Sequence, residues 1–243
     1  MKKLLPWLLI LLFLCACSPS QGAVLTPRNV YYAGTESEVK TALTLAGFTQ
    51  VTDPAQAEVF VLNGEIPDAA GIAEHINEEA GLVLILGQET SQTDVQTLLN
   101  QSVNLTYAEE AVSLVNAKGA QDPILTEIVW NGAPQVRERS TVDGLDSQAR
   151  DIVSTYETGE GILSQVSAHA FLFTPWLSGG ANPQIQEWGY FNYLVYHLVE
   201  RAAGAVPVSF AAYPASPVPH RENRNTLFVF LGMELLFFYG AFV

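Results

Sequence analysis

The chain has 243 residues, 49% of them hydrophobic and 15% charged, with 11 basic against 25 acidic side chains for a net charge of −14. That apolar content excludes disorder, and the length allows one large domain or two small ones with a sizeable core. The acidic balance excludes a nucleic-acid partner, which needs a basic footprint to neutralise phosphates, and argues against broad adhesion to anionic lipid.

The first segment reads Lys2-Lys3, then an almost wholly apolar stretch from Leu4 to Ala16, then Cys17-Ser18-Pro19-Ser20. A basic start, a short apolar run and small residues after it make an export signal over 1–16, too short to span a bilayer. Leu14-Cys15-Ala16-Cys17 resembles the bacterial lipobox, in which the signal is cut before a cysteine that receives lipid, so Cys17 is the expected lipidation site. The alternative is an ordinary signal peptide or an uncleaved anchor with two incidental cysteines. If Cys17 is acylated and Cys15 leaves with the signal, no thiol remains, because both cysteines of the chain lie in this window. Disulfides, thiolate metal sites and a cysteine nucleophile are then excluded.

A polar tether over 17–28 leads into alternating strand and helix. Asn29 to Ala33 reads as a strand ending at Gly34, followed by a helix that Thr35 can cap and Gly47 stops. Ala57 to Leu62 is a second strand, broken at Asn63-Gly64. Pro67 and Asp68 open a second helix, closed by Gly81. Leu82 to Leu86 is a continuous apolar run, the pattern of a central parallel strand covered on both faces. Thr93 to Leu99 is a third helix. This order predicts an α/β fold, a doubly wound and mostly parallel sheet in a three-layer sandwich.

Farther along, Leu125 to Trp130 and Val136 to Val142 read as strands around the turn Asn131-Gly132-Ala133-Pro134, a hairpin-like insertion over the sheet edge. Asp151 to Tyr156 and Ile162 to Val166 are strands on either side of Gly159-Glu160-Gly161. Glu187 to Ala203 is a long aromatic helix closed by Gly204. The α/β domain is expected over 29–205, and four prolines between Val206 and Arg221 predict a stiff extended linker over 206–225. Thr226 to Val243 carries one charge, Glu234; its eighteen residues reach roughly 27 Å as a helix, barely enough to cross a bilayer core. We expect a transmembrane helix over 226–243. His220, Arg221 and Arg224 precede it, which for a span entered from outside favours a chain continuing past Val243. A buried core helix is the alternative.

Two stretches carry a family likeness: Ile66-Pro67-Asp68 through Leu86-Gly87, and Gly159 through Phe173 with the Trp188 to Gly204 helix. By pattern and order, over about Val30 to Gly204, they resemble the class I glutamine-amidotransferase-like domains of bacterial membrane-anchored proteins. Active members of that fold set a nucleophilic cysteine on a sharp strand-to-helix elbow. The matching elbow here reads Gly87-Gln88-Glu89-Thr90-Ser91, with no cysteine and no Gly-x-Ser-x-Gly pattern. The resemblance therefore implies the fold without the amidotransferase chemistry.

The remaining candidates are few. Ser167 and His169 follow the Ile162 to Val166 strand, and strand ends in α/β sheets are where ligands bind. Trp176, ahead of Ser178-Gly179-Gly180, marks an aromatic loop at the same expected edge. His75 among Glu74, Glu78 and Glu79 falls short of a metal site, as do Asp143, Asp146 and Asp151. No cofactor or metal is expected. The leading reading is a non-catalytic extracytoplasmic module at the bacterial cell membrane. It is held by lipid on Cys17 and by residues 226–243, and it binds a protein partner or small ligand in an envelope complex, with Ser167, His169 and Trp176 as candidate contacts. The alternative is an envelope hydrolase or transferase using Ser167 and His169. A binding module should show an aromatic patch at the strand carboxyl ends; an enzyme should gather its polar candidates in one pocket there.

Overall fold

Val59–Asn63 (β3) and Gly81–Ile85 (β4) are buried at every position, as central parallel strands covered on both faces must be. In the computed structural model, which describes residues 25–78 and 80–214, they lie in the middle of an eight-stranded sheet. The other strands are Asn29–Gly34 (β1), Thr49–Val51 (β2), Leu114–Asn116 (β6), Arg150–Thr155 (β8), Gly161–Ser167 (β9) and Ala170–Phe173 (β10), in the order β2-β1-β3-β4-β10-β9-β8-β6. From β2 to β10 all neighbours are parallel; β9, β8 and β6 then pair antiparallel. The chain is thus mixed α/β with a mostly parallel sheet.

Period-two alternation divides the core. Val59, Val61, Val83, Ile85, Phe171 and Phe173 face one layer, with helices Glu38–Leu45 (α1) and Phe191–Ala202 (α6). Phe60, Leu62, Leu82, Leu84 and Leu172 face the other, with Ala69–Asn77 (α2) and Gln92–Leu99 (α3). Asp68 caps α2 by accepting from the Gly71 amide at 3.0 Å, as its position before the helix predicts. Gly47, at φ 76°, ends the first helical segment.

Several expectations are corrected. Ile124 to Trp130 is no strand but a short helix, Ile124–Glu127 (α4), followed by a 3-10 turn at Trp130–Gly132. Asp122 accepts from the Ile124 amide at 3.1 Å, and Ile124 and Ile128, four apart, bury together. The predicted hairpin is absent: Arg139–Asp143 (β7) pairs instead with Asn104–Ala108 (β5) in a separate two-stranded sheet. The aromatic helix begins at Phe191, after a short helix at Pro183–Gln186 (α5). Ser37, not Thr35, stands at the α1 N-cap, and Gly81 opens β4 rather than closing α2.

The expected linker also starts too early. Phe210 is 8% exposed and Tyr213 0%, and Tyr193 Oη donates to the Val208 carbonyl at 2.9 Å. The prolines predict stiffness, but Phe210 and Tyr213 between Pro207 and Pro214 dock on α6. The signal peptide, Cys17 and the membrane helix over 226–243 lie outside the described residues. Among those described, no helix is long and apolar enough to cross a membrane.

Candidate functional site

The loops after β1, β3, β4 and β10 converge at the carboxyl edge of the parallel strands, the place where open α/β sheets hold ligands. They form a cleft of about 290 Å³ whose walls include Thr35, Glu65, Glu89, Glu138, Trp176 and Ser178. Gly64 leaves β3 at φ 78°, in the left-handed region that favours glycine. A Cβ on Gly87 would stand 2.7 Å from Gly64 Cα and 3.0 Å from Ser178 Oγ, so three loops touch through residues with little or no side chain. The Thr90 hydroxyl stitches the elbow by accepting from the Gly87 amide at 2.8 Å and donating to the Gly64 carbonyl at 3.1 Å. Gln88 and Glu89 are left exposed at its tip.

Trp176 forms the floor. It is 7% exposed, its Nε1 donates to Ser140 Oγ at 2.9 Å, and the Tyr107 ring stacks on it at 4.6 Å and 19°. Tyr107 is itself 51% exposed, so the pair presents one aromatic face. Loss of water around its phenol, then the Glu109 and Glu138 carboxylates, push the Tyr107 pKa upward. Asn182, 4% exposed and in the left-handed region at φ 46°, locks the loop below. Its amide donates to the carbonyls of Glu138 (2.6 Å) and Trp176 (3.0 Å), and its oxygen accepts from the amides of Arg137 (2.8 Å) and Glu138 (3.3 Å). Sequence reasoning passes over all three: the pairing of β5 with β7 brings Tyr107 to Trp176, the Arg139–Pro175 bridge brings Glu138, and Asn182 reaches back from six residues along the same loop.

The three sequence candidates do not meet. Ser167 and His169 sit at the β9–β10 hairpin, and because β9 runs antiparallel its carboxyl end lies at the amino edge of the parallel strands, opposite the cleft. Ser167 is exposed at the end of β9, while His169 Nδ1 lies 3.1 Å from the Ala202 carbonyl and its own carbonyl accepts from the Leu82 amide at 2.8 Å. Trp188 packs against Trp130 and Tyr190 beside α6, away from Trp176. Among the described residues no histidine lines the cleft and no cluster of His, Cys, Asp and Glu is arranged to hold a metal.

No family model matches the chain, and no curated protein does. Solved structures resemble the chain to different degrees. A cytoplasmic protein from Salmonella typhimurium LT2 is 13% identical over 70% of this chain and 99% of its own, with a TM-score of 0.55. A glutamine amidotransferase from Thermotoga maritima is 13% identical over 72% and 90%, at a TM-score of 0.44. One from Methylobacillus flagellatus is 9% identical over 74% and 94%, at 0.41. At such identities the first likeness speaks for the architecture alone.

Proposed function

We propose that the chain is a non-catalytic binding module, an amidotransferase-like domain held at the outer face of a bacterial membrane through acylated Cys17 and the apolar segment 226–243, whose carboxyl-edge cleft takes a positively charged group of a protein partner or small ligand. The observation that carries this reading is the β4 elbow: where acyl transfer needs a nucleophile, the chain presents Gln88-Glu89 beside a stacked Tyr107–Trp176 pair. Glu65, Glu89 and Glu138 on the walls supply charge for a cation, and an aromatic face adds attraction through its quadrupole. A lysine- or arginine-bearing segment matches both. The hydrolase alternative has no comparable support, because Ser167 and His169 stand at the opposite edge.

The test is a titration of the full chain with a hexalysine peptide, read by tryptophan fluorescence, beside a capped neutral peptide. Saturable quenching by hexalysine alone, weakened in Glu89→Gln and Glu138→Gln, supports the module. Equal response of wild type and both variants removes the cleft from the account. Ammonia release from glutamine that vanishes in Glu89→Gln overturns the non-catalytic reading. Mass spectrometry of membrane-extracted protein tests the anchor separately: a diacyl or triacyl group on an N-terminal Cys17 is the expected result, and an intact Met1 with free thiols refutes it.

A further inference from the structure

Basic residues are scarce in this acidic chain: seven lie among the described residues. Four of them, Arg28, Lys40, Arg137 and Arg139, each face at least one glutamate of their own. The other three, Lys118, Arg150 and Arg201, gather at one place where the ratio reverses. There Asp122, its side chain 1% exposed, is shared by two guanidinium groups: Arg201 Nη1 at 2.6 Å and Arg150 Nη2 at 3.5 Å. Asp151, the second acid on these walls, accepts the Ser164 hydroxyl at 2.6 Å. Lys118 has no carboxylate within 4.0 Å among the described residues.

A cavity of about 570 Å³ opens here, with Lys118, Asp122, Arg150 and Ser154 on its walls. Arg150 spends Nε and Nη2 on the Gln165 side-chain oxygen at 3.0 and 2.5 Å, which fixes the guanidinium plane and leaves Nη1 without a protein partner among the described residues. Arg201 is held more deeply, by Asp122, by Gln165 at 3.3 Å and by the Phe171 ring 5.0 Å below it. The turns at Gly119 and Gly159 carry no atom within 4 Å of where a Cβ would project, so the backbone there lies open.

We infer that this cavity is an anion site for a small phosphate-bearing ligand, separate from the acidic carboxyl-edge cleft and independent of it. A preoriented guanidinium and a mobile ammonium on different walls suit a tetrahedral oxyanion, which accepts donors from several directions, better than a planar carboxylate. The buried Asp122–Arg201 pair positions Arg150 and leaves local positive charge in excess.

The experiment is calorimetric titration of the detergent-extracted full chain with inorganic phosphate and with glycerol phosphate at low ionic strength, chloride serving as control. A parallel arm uses vesicles of phosphatidylglycerol against phosphatidylcholine. Saturable phosphate binding is expected, weakened about tenfold or more in Arg150→Gln and in Lys118→Gln, the loss expected for one charge-assisted hydrogen bond. Binding to phosphatidylglycerol vesicles without binding of free phosphate, lost in the same variants, keeps the site and identifies a lipid headgroup as the source. Binding by wild type to neither probe overturns the inference, as does binding unchanged in both variants. Lys118→Gln removes a side chain engaged in no ion pair, so it carries the test alone should Arg150→Gln prove unfolded by circular dichroism.

Discussion

His169 Nδ1 lies 3.1 Å from the Ala202 carbonyl oxygen, at the point where α6 ends against the start of β4. The carbonyl accepts, so Nδ1 carries the proton, and the ring satisfies one of the orphan acceptors that every helix C-terminus leaves. Gly204 turns away at φ 72°, and a Cβ there would press on His169 Cε1 at 2.9 Å. His169→Ala is therefore expected to lower stability by about 1 kcal/mol, the net worth of an ordinary hydrogen bond. Urea unfolding measures this, and hexalysine affinity should stay at the wild-type value. A loss of binding without a loss of stability would return His169 to the functional residues.

The same junction makes Gly81 critical. A Cβ at this position would overlap the Ala202 carbonyl, which is backbone and cannot swing aside. Gly81→Ala should then force α6 away from β4 and cost about 1–3 kcal/mol or more, as overpacking does. Gly132→Ala meets nothing within 4 Å and serves as the control. Equal midpoints for the two variants in denaturant would show that α6 does not abut the sheet in this way.

The Asp122–Arg201 pair and the Lys40–Glu36 pair are both ion pairs, and their burial decides how much each matters. Lys40 and Glu36 are 36% and 82% exposed, and such pairs contribute about 0–1 kcal/mol. The Asp122 side chain is 1% exposed, so removing Arg201 leaves a buried carboxylate with only the longer 3.5 Å contact to the half-exposed Arg150. Arg201→Ala is expected to cost about 3–5 kcal/mol, against almost nothing for Lys40→Ala. Paired chemical denaturation checks the difference, and near-equal values would mean water reaches Asp122.

These contacts show what was legible in the sequence. The apolar runs of β3 and β4, the Asp68 cap and the Gly47 stop are local signals, and the structure keeps each of them. The direction of β9 is not local: the same alternation of Ile162, Ser164 and Val166 reads identically in a parallel or antiparallel strand. That single ambiguity sent Ser167 and His169 to the wrong sheet edge. Leu125 to Trp130 misled for a different reason, since its β-favoured composition yields to the Asp122 turn and to burial of Ile124 and Trp130 beside α6. Trp176 reached the cleft as a loop aromatic should, yet its partner Tyr107 lies 69 positions earlier on a strand that nothing short-range pairs with Arg139–Asp143.

That aromatic pair offers a spectroscopic check. Tyr107→Ala should uncover the Trp176 indole and shift its emission to the red, at a stability cost of about 0.5–1.5 kcal/mol for the lost stacking. Trp176→Ala should cost about 3–5 kcal/mol, since a buried large aromatic is deleted and the Ser140 hydroxyl is left unpartnered. An unchanged emission maximum in Tyr107→Ala would mean the ring does not cover the indole.

His197 gives the fold a pH dependence. It is 1% exposed in α6, beside the Tyr193 ring, and its Nδ1 has no partner among the described residues. Burial, then the Arg201 charge, push its pKa from 6.5 down to about 4, with Asp122 opposing. Between those values the unfolded chain binds a proton that the folded chain refuses, so stability rises with pH through this window. The contribution is complete above about pH 6.5 and falls away by about 3 kcal/mol as the pH drops to about 4. Glu200 in the same helix has the opposite slope, because burial raises its carboxyl above the ordinary value and lets the folded state keep a proton. Comparison of wild type with His197→Phe across pH 4–7 isolates the histidine. The variant should lose the acid-side decline, and parallel curves would show that His197 is protonated in the folded chain.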